Sequence, residues 1–287
     1  MLTVRDYDDG ERFWREVGEP LRARPVLNNV FVGVANRIRT DTSRELLRLA
    51  VFDGGELVLG ALRTPPYRLN LADLGDGERA AEALAAHLAH RRVQLPGVVG
   101  QESLGTRFAQ HWFAATGRSA RGLSPGHWRQ NLYRVERVVP PANVRGQMRG
   151  AKAGERDLMV RWQIAFAEDA DLPGTERSMD YVARFVDDGL ADGTFAMWEV
   201  DGEPVSIARR RPIETIGVRI GAVYTPNDRR GHGYAAALTA AMSQAVLDQG
   251  LFCCLFADAA NPLTNRIYQR IGYAKVATFA DIMFSDD

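Results

Sequence analysis

Lysine is almost missing from this sequence: among 36 basic residues only Lys152 and Lys275 are not arginine. That bias reads as codon or lineage preference and decides nothing about chemistry. Net charge is missing as well, with 36 basic residues set against 36 acidic ones, so no global field favours a nucleic acid or an acidic membrane surface. Cysteine is confined to the adjacent pair Cys253 and Cys254, whose side chains on a strand point to opposite faces. This excludes an intramolecular disulfide framework and a metal site of CxxC spacing. There is no run of eighteen apolar residues, and the opening MLTVRDYDDGERFWREV is charged throughout, without the apolar core of a signal peptide. A cytoplasmic protein without membrane contact is expected. Of the five histidines, His87, His90, His111 and His127 lie in the first half and His232 in the second, at no ligand spacing, so no metal is expected.

What is present is a chain of 287 residues, 46% hydrophobic, which suits two domains of ordinary size. Pro140-Pro141 ends a strand-like run from Asn131 to Val139 and marks the expected boundary, giving domains 1–139 and 140–287. In the first round, Arg44 to Phe52 and Glu56 to Leu62 read as a hairpin turned at Asp53-Gly54-Gly55. A strand Tyr67 to Leu74, a helix Gly77 to Arg92, a short apolar strand Pro96 to Gly100 and a helix Glu102 to Thr116 capped by Gly117 follow. In the second round come a strand within Val144 to Lys152, a helix marked by Leu158, Trp162 and Phe166, and a helix capped by Thr175 or Ser178. Strands Thr194 to Val200, Pro204 to Arg211 and Glu214 to Thr225 precede a helix Gly233 to Gln249. A strand Leu251 to Asp258, a helix Pro262 to Ile271 and a last strand Lys275 to Phe284 complete the chain. Both rounds share one order of elements, which predicts a duplicated unit.

The segment Val223-Tyr224-Thr225-Pro226-Asn227-Asp228-Arg229-Arg230-Gly231-His232-Gly233-Tyr234-Ala235 lies between a strand and a helix. A helix start offers unpaired N–H groups and the positive end of the dipole, so it can hold a phosphate. Gly231 and Gly233 let the main chain approach closely, and Arg229 and Arg230 add charge. Taken alone, this is a short glycine pattern of the kind that recurs by chance. It is not a nucleotide P-loop, because Gly-Lys-Ser/Thr is absent.

About twenty-five residues further on stands Asn261-Pro262-Leu263-Thr264-Asn265-Arg266-Ile267-Tyr268-Gln269-Arg270-Ile271-Gly272-Tyr273. With Arg230-Gly231-His232-Gly233-Tyr234-Ala235 before it, the pair resembles the two hallmarks of the GNAT acetyltransferase superfamily, Arg/Gln-x-x-Gly-x-Gly/Ala and Asn…Tyr-x-x-x-Gly-Phe/Tyr. Residues 142–287 look like the acetyltransferase half of bacterial GNAT proteins with a second, N-terminal domain. The resemblance implies an α/β (α+β) fold with a mixed, mostly antiparallel sheet flanked by helices, preceded by a degenerate GNAT-like domain. It also implies acetyl-CoA as cofactor. Main-chain groups of Ala222, Val223 and Tyr224 would pair with its pantetheine arm, and Arg229, Arg230, Gly231, His232, Gly233, Tyr234 and Ala235 would hold the pyrophosphate. Asn261 and Asn265 would sit beside the cofactor, with Tyr268 near its sulfur.

The implied reaction is direct attack by a neutral amine on the acetyl thioester, with Tyr268 the candidate general acid. No residue declares itself the base. Glu214, at the head of the long strand, and Glu199 are the candidates, each also readable as a solvated strand-end carboxylate. In the first round the matching segment, Gly75-Asp76-Gly77-Glu78-Arg79-Ala80, has glycines but no leading arginine, and Asp76 and Glu78 would repel phosphate. That domain is therefore expected not to bind coenzyme A. Glu168, Asp169 and Asp171 at a helix end could attract a cationic amine, though charge runs are usually solvated. The expected acceptor is an amine on a small molecule or peptide, and a homodimer is compatible with the sequence. The competing function is a non-catalytic acyl-CoA sensor or interaction module.

Overall fold

The structure is a computed structural model that describes residues 1–43, 45–120, 128–172 and 174–285, without the side chains of Trp128, Gly174 and Thr175. Arg44, expected to open a strand, and His127 lie outside the described residues, as does any capping role of the Thr175 side chain.

The chain forms two compact units. The first comprises Met1–Leu132, Ala257–Pro262 and Lys275–Asp287, and the second Tyr133–Phe256 and Leu263–Ala274. A single cut at Pro140 therefore does not separate them.

The first round of elements is β1 (Leu2–Asp6), α1 (Gly10–Ala23), α2 (Asn29–Arg37), β2 (Leu47–Asp53), β3 (Glu56–Arg63), β4 (Leu69–Asp73), α3 (Gly77–His90), β5 (Gly97–Gln101), α4 (Glu102–Thr116) and β6 (Trp128–Val135). The second is β7 (Gln147–Gly150), α5 (Arg156–Asp169), a single turn α6 (Gly174–Arg177), α7 (Met179–Ala191), β8 (Phe195–Val200), β9 (Glu203–Ile213), β10 (Gly217–Tyr224), α8 (Tyr234–Leu247), β11 (Phe252–Asp258), α9 (Pro262–Ile271) and β12 (Tyr273–Met283). Apart from α6 the two orders are the same. The opening β1, α1 and α2 have no counterpart in the sequence reading, although α1 carries its own signals. Asp9 caps it by accepting from the N–H groups of Glu11 and Arg12, and Phe13, Trp14, Val17 and Leu21 are buried along one stripe.

In the first unit β1, β2, β3 and β4 pair antiparallel in sequence order, β5 joins parallel to β4, and β12 closes antiparallel to β5, Phe279 facing Gln101. The last strand of the chain thus completes the first unit's sheet. Its Ala280, Ile282 and the following Phe284 enter that unit's core, where Phe284 stacks on Trp112 with ring centroids 6.1 Å apart. In the second unit β7, β8, β9 and β10 pair antiparallel, β11 runs parallel to β10, and the end of β6 lies beside β11. Ser178 caps α7 by accepting from the Tyr181 N–H. The apolar stripes of α5 and α7 then cover the sheet through Met159, Val160, Val182, Val186, Phe195, Met197, Ile207 and Tyr224. Cys253 and Cys254 are buried free thiols on β11, held protonated by that burial. Among the described residues no helix is long and apolar enough to cross a membrane.

Candidate active site

The second unit's site begins with an irregularity in β10. Gly221 faces Arg209 on β9, but the next pair is Tyr224 with Ile207, so β10 advances three residues while β9 advances two. Ala222 absorbs the extra residue at φ +51°, a left-handed conformation that costs a non-glycine residue about 1 kcal/mol. The bulge also reverses the side-chain parity beyond it. Tyr224, not Val223, therefore turns into the core under α5, its ring 6.4 Å from that of Trp162. Buried Gln163 on α5 reaches the Ala222 carbonyl at 3.5 Å, and Ser206 donates to the Tyr224 carbonyl at 2.9 Å.

On its other side β10 pairs with β11 from Gly217–Phe252 to Ile220–Leu255, and then runs on to Tyr224. Where that ladder stops, the main chain of Ala222, Val223 and Tyr224 offers an edge that an extended ligand can join as a strand would. A Cβ added at Gly221 would meet no heavy atom within 4 Å.

The strand leads through a turn at Asn227–Arg229 into Gly231 at φ +84° and Gly233 at φ +81°. Both values favour glycine. Gly233 is the N-cap of α8 and supplies no side-chain cap, and the first helical ladder bond runs from Ala237 N–H to Gly233 O. The N–H groups of Tyr234, Ala235 and Ala236 precede that bond and point out of the helix end, with the positive end of the dipole. His232 is exposed and stacks on Tyr234 at 5.4 Å. Arg229 is half exposed beside Asp228. Arg230 does not simply point to solvent. Its Nε donates to the Thr225 carbonyl at 2.9 Å, it pairs with Asp169, and its guanidinium lies 5.7 Å from the Tyr224 ring centroid. The loop is thus tied to the end of α5 by its own arginine. Asp171 is likewise paired, with Arg177, so two carboxylates of the acidic cluster already have partners.

Tyr268 sits half-buried on α9, edge-on to Tyr273 at 6.1 Å. Burial pushes its hydroxyl up to about 12, which keeps it protonated at any ordinary pH. Tyr273 is held in place by Ser243 at 2.7 Å and Cys253 at 3.3 Å.

Glu214, Glu199, Asn265 and Asn261, the other candidates, take these places in the fold. Glu214 stands in the turn between β9 and β10, at φ +48°, at the opposite end of β10 from the glycine loop. The five steps from Gly217 to Ala222 put roughly 17 Å between the strand's start and the bulge, too far for a base acting there. Glu199 is held on β8 by Arg149, which also binds Glu155, so it belongs to a structural ion-pair cluster. Asn265 is buried, and its Oδ1 accepts from the Tyr133 hydroxyl at 2.7 Å, a fold-holding bond. Asn261 is exposed and groups with the first unit. Sequence reasoning missed Gln163, although a polar residue between the core positions Met159 and Ala167 of an amphipathic helix is a readable signal.

The first unit's corresponding loop is built differently. The Asp73 carboxylate at the end of β4 accepts from the N–H groups of Gly75 and Gly77, both at 3.1 Å. The β3–β4 register runs without a shift from Leu62–Asn70 to Leu59–Asp73.

Residues 202–280 match the FR47-like protein family model. No curated protein matches the sequence. Among solved structures, a GNAT-family acetyltransferase from Colwellia psychrerythraea superposes with a TM-score of 0.58 at 9% identity, over 99% of this chain and 100% of the other. A tandem GNAT protein from the clavulanic acid biosynthesis pathway gives 0.57 at 12% identity, over 99% and 98%. A Drosophila protein gives 0.62 at 15% identity, over 98% of each chain. The chain has the GNAT acetyltransferase fold, and its residues 202–280 are similar to the FR47-like family model.

Proposed function

We propose that the chain is an acetyl-CoA-dependent N-acetyltransferase whose second unit carries the reaction. One observation supports this above the rest: in a single stretch of chain a bulged strand, diverging from its parallel neighbour, runs into a helix start with two left-handed glycines and no side-chain cap. An extended arm ending in a pyrophosphate fits that sequence of features. The main chain of Ala222, Val223 and Tyr224 would hold the arm, and the amides from Gly231 to Ala235, with Arg229 and His232 at the rim, would hold the phosphates. Acetyl-CoA, when bound, supplies an acetyl thioester for attack by an amine.

Tyr268 is the chain's contribution to the departing sulfur. A hydroxyl at about 12 lies well above the ordinary range of a thiol, near 8.5, so complete proton transfer to sulfur is uphill. Its Oη therefore keeps its proton and stabilises the developing charge by donating a hydrogen bond. With Glu214 and Glu199 removed from the role, the amine sheds its proton to water, before or after attack. The lack of a placed base is also what favours the second reading, a coenzyme A-binding module without turnover. Calorimetry with coenzyme A, followed by acetyl transfer across a panel of amines, tests both. One site per chain with measurable transfer supports the enzyme. Binding without transfer to any amine selects the module, and no binding removes both.

A further inference from the structure

The second unit's sheet carries a positive patch that the acetyl-CoA reading leaves unused. Side chains alternate along a strand, so Arg209 and Arg211 share the face of β9 on which Ile207 enters the core beneath α5 and α7. The ladder sets Arg211 directly opposite Arg219 of β10, and Arg209 opposite Gly221, next to the bulge. Three guanidiniums therefore rise from one patch of one sheet face. Like charges directly opposite one another destabilise a sheet, so a fold that keeps such a pair calls for a reason.

Arg209 and Arg211 are anchored by neutral groups. Arg209 is buried, with Nε donating to Thr194 Oγ1 at 3.0 Å and Nη1 donating to the Phe185 carbonyl at 2.7 Å. Its guanidinium lies 4.4 Å from the Phe185 ring centroid, and that of half-buried Arg211 lies 5.0 Å from the same centroid. Among the described residues no ion pair joins Arg209 or Arg211 to a carboxylate, and Asp188 of α7 and Asp192 just after it act on Arg209 only through space. Burial, and then the charge of Arg211, push the Arg209 guanidinium down to about 10. On the far side Arg219 is paired in register with Cys254, a thiol that Arg134 of β6 also influences.

We propose that this face is the acceptor floor, and that Arg211, with Arg209 and Arg219 beside it, receives an anionic group, a carboxylate or phosphate, carried by the amine that is acetylated. This rests on the acetyltransferase reading. It follows from register: Arg219 precedes the bulged Ala222 by three residues, about 10 Å along the strand, so an amine at the bulge would have its anion roughly that far away. A guanidinium already stacked on an aromatic ring is pre-oriented to present its fork to such a group.

The test uses the full chain and ω-amino carboxylates of increasing length, each paired with its primary amide, together with aminoalkyl phosphonates paired with the corresponding alcohols. The anionic member of each pair should be preferred in kcat/KM, and the carboxylate and phosphonate arms show which anion fits. In Arg211→Gln that preference should fall by roughly 10- to 100-fold while coenzyme A affinity holds, since a charged hydrogen-bond partner is lost at one end of the acceptor only. Direct calorimetry of the aminoalkyl phosphonate, with coenzyme A present, should show the same loss without any need for turnover. The phosphonate should also raise the Tm of the wild type more than that of Arg211→Gln at equal ionic strength. Preference for neutral or cationic amines, or an acid-over-amide preference that Arg211→Gln leaves intact, overturns the proposal while the acetyltransferase stands. Arg211-dependent phosphonate binding in a protein that transfers no acetyl group would instead sink the enzyme reading and leave the anion site.

Discussion

The two helix-start loops, 73–77 before α3 and 229–235 before α8, answer the same electrostatic problem in opposite ways. Each follows a strand that has a parallel neighbour, and each presents unpaired N–H groups at the positive end of a helix. In the first unit Asp73 fills that position from within the chain, with one carboxylate oxygen shared by Gly75 and Gly77. The divergence is filled too, since a Cβ on Gly100 of β5 would stand 3.2 Å from the Leu71 side chain. In the second unit the helix start has no side-chain cap and the space beside Gly221 is open. One order of elements can thus be closed or left open. The difference lies in which group satisfies the amides and in whether the strand before them is bulged, not in the order of elements.

The bluntest way to separate the units is to end the chain at Val139. The first unit would then lose Ala280, Ile282 and Phe284 from its core, and Phe284 alone is worth about 3–5 kcal/mol on truncation to alanine. Against a typical total of about 5–15 kcal/mol, that fragment should show no cooperative thermal transition. A sharp melt by circular dichroism would mean that β12 is dispensable. Next in size is Gly233→Asp, which places a carboxylate where the second loop is proposed to receive phosphate and should weaken coenzyme A binding by at least ~100-fold. Gly233→Asn, an uncharged residue that tolerates positive φ, controls for backbone strain. Equal losses in the two variants would assign the effect to conformation, and wild-type affinity in Gly233→Asp would move the phosphate site elsewhere.

Tyr268→Phe comes third. A hydroxyl that donates to sulfur only as charge develops should lower kcat by about 100-fold, near the lower end for such groups, and leave coenzyme A affinity unchanged. Because the hydroxyl is held near 12, raised from 10, it stays protonated across the assay range. The kcat–pH profile should therefore rise with deprotonation of the amine and show no falling limb from Tyr268 below about pH 12. A falling limb near pH 9 that vanishes in Tyr268→Phe would contradict the burial of that group. The sign for stability follows. A tyrosine whose folded value exceeds its unfolded one contributes stability that is fully present below pH 10 and is lost as pH climbs from 10 towards 12.

Much of the fold was legible because its signals are local. Hairpin glycines at Gly54-Gly55, helical stripes such as Leu104, Phe108 and Trp112, and the Gly117 cap each act within a few residues. The glycine loop was legible for the same reason. The ownership of β12 was not, because pairing Phe279 with Gln101 is a contact across most of the chain that no periodicity reports. Nor could strand ends be told apart chemically. Glu214 and Asp73 are both carboxylates next to β-strands, yet one occupies a remote hairpin turn and the other a helix start, and only register distinguishes them. The bulge at Ala222 was hidden by its residue type, since alanine is not a residue that announces positive φ. α1 is a different kind of miss: Asp9 and the stripe Phe13, Trp14, Val17 and Leu21 were there to be read.

The smallest expected effect bears most directly on why the first unit is closed. Asp73→Ala leaves the Gly75 and Gly77 amides without their partner and removes a negative charge from the α3 start, at a cost of about 1–2 kcal/mol. For a chain of two such units this is a drop of a few degrees in Tm, readable by differential scanning. If Asp73 were the only barrier, the vacated loop should also gain a phosphate site, and calorimetry would find a second coenzyme A per chain. The register argues otherwise. β4 pairs with β3 without a bulge, so its main chain stays in the ladder, and Gly100 packs close to Leu71 where an extended arm would have to enter. Stoichiometry should remain one, with inorganic phosphate at most restoring part of the lost Tm. A second coenzyme A site in Asp73→Ala would show that one carboxylate alone closes the first unit, and that the bulge in β10 is not required for binding.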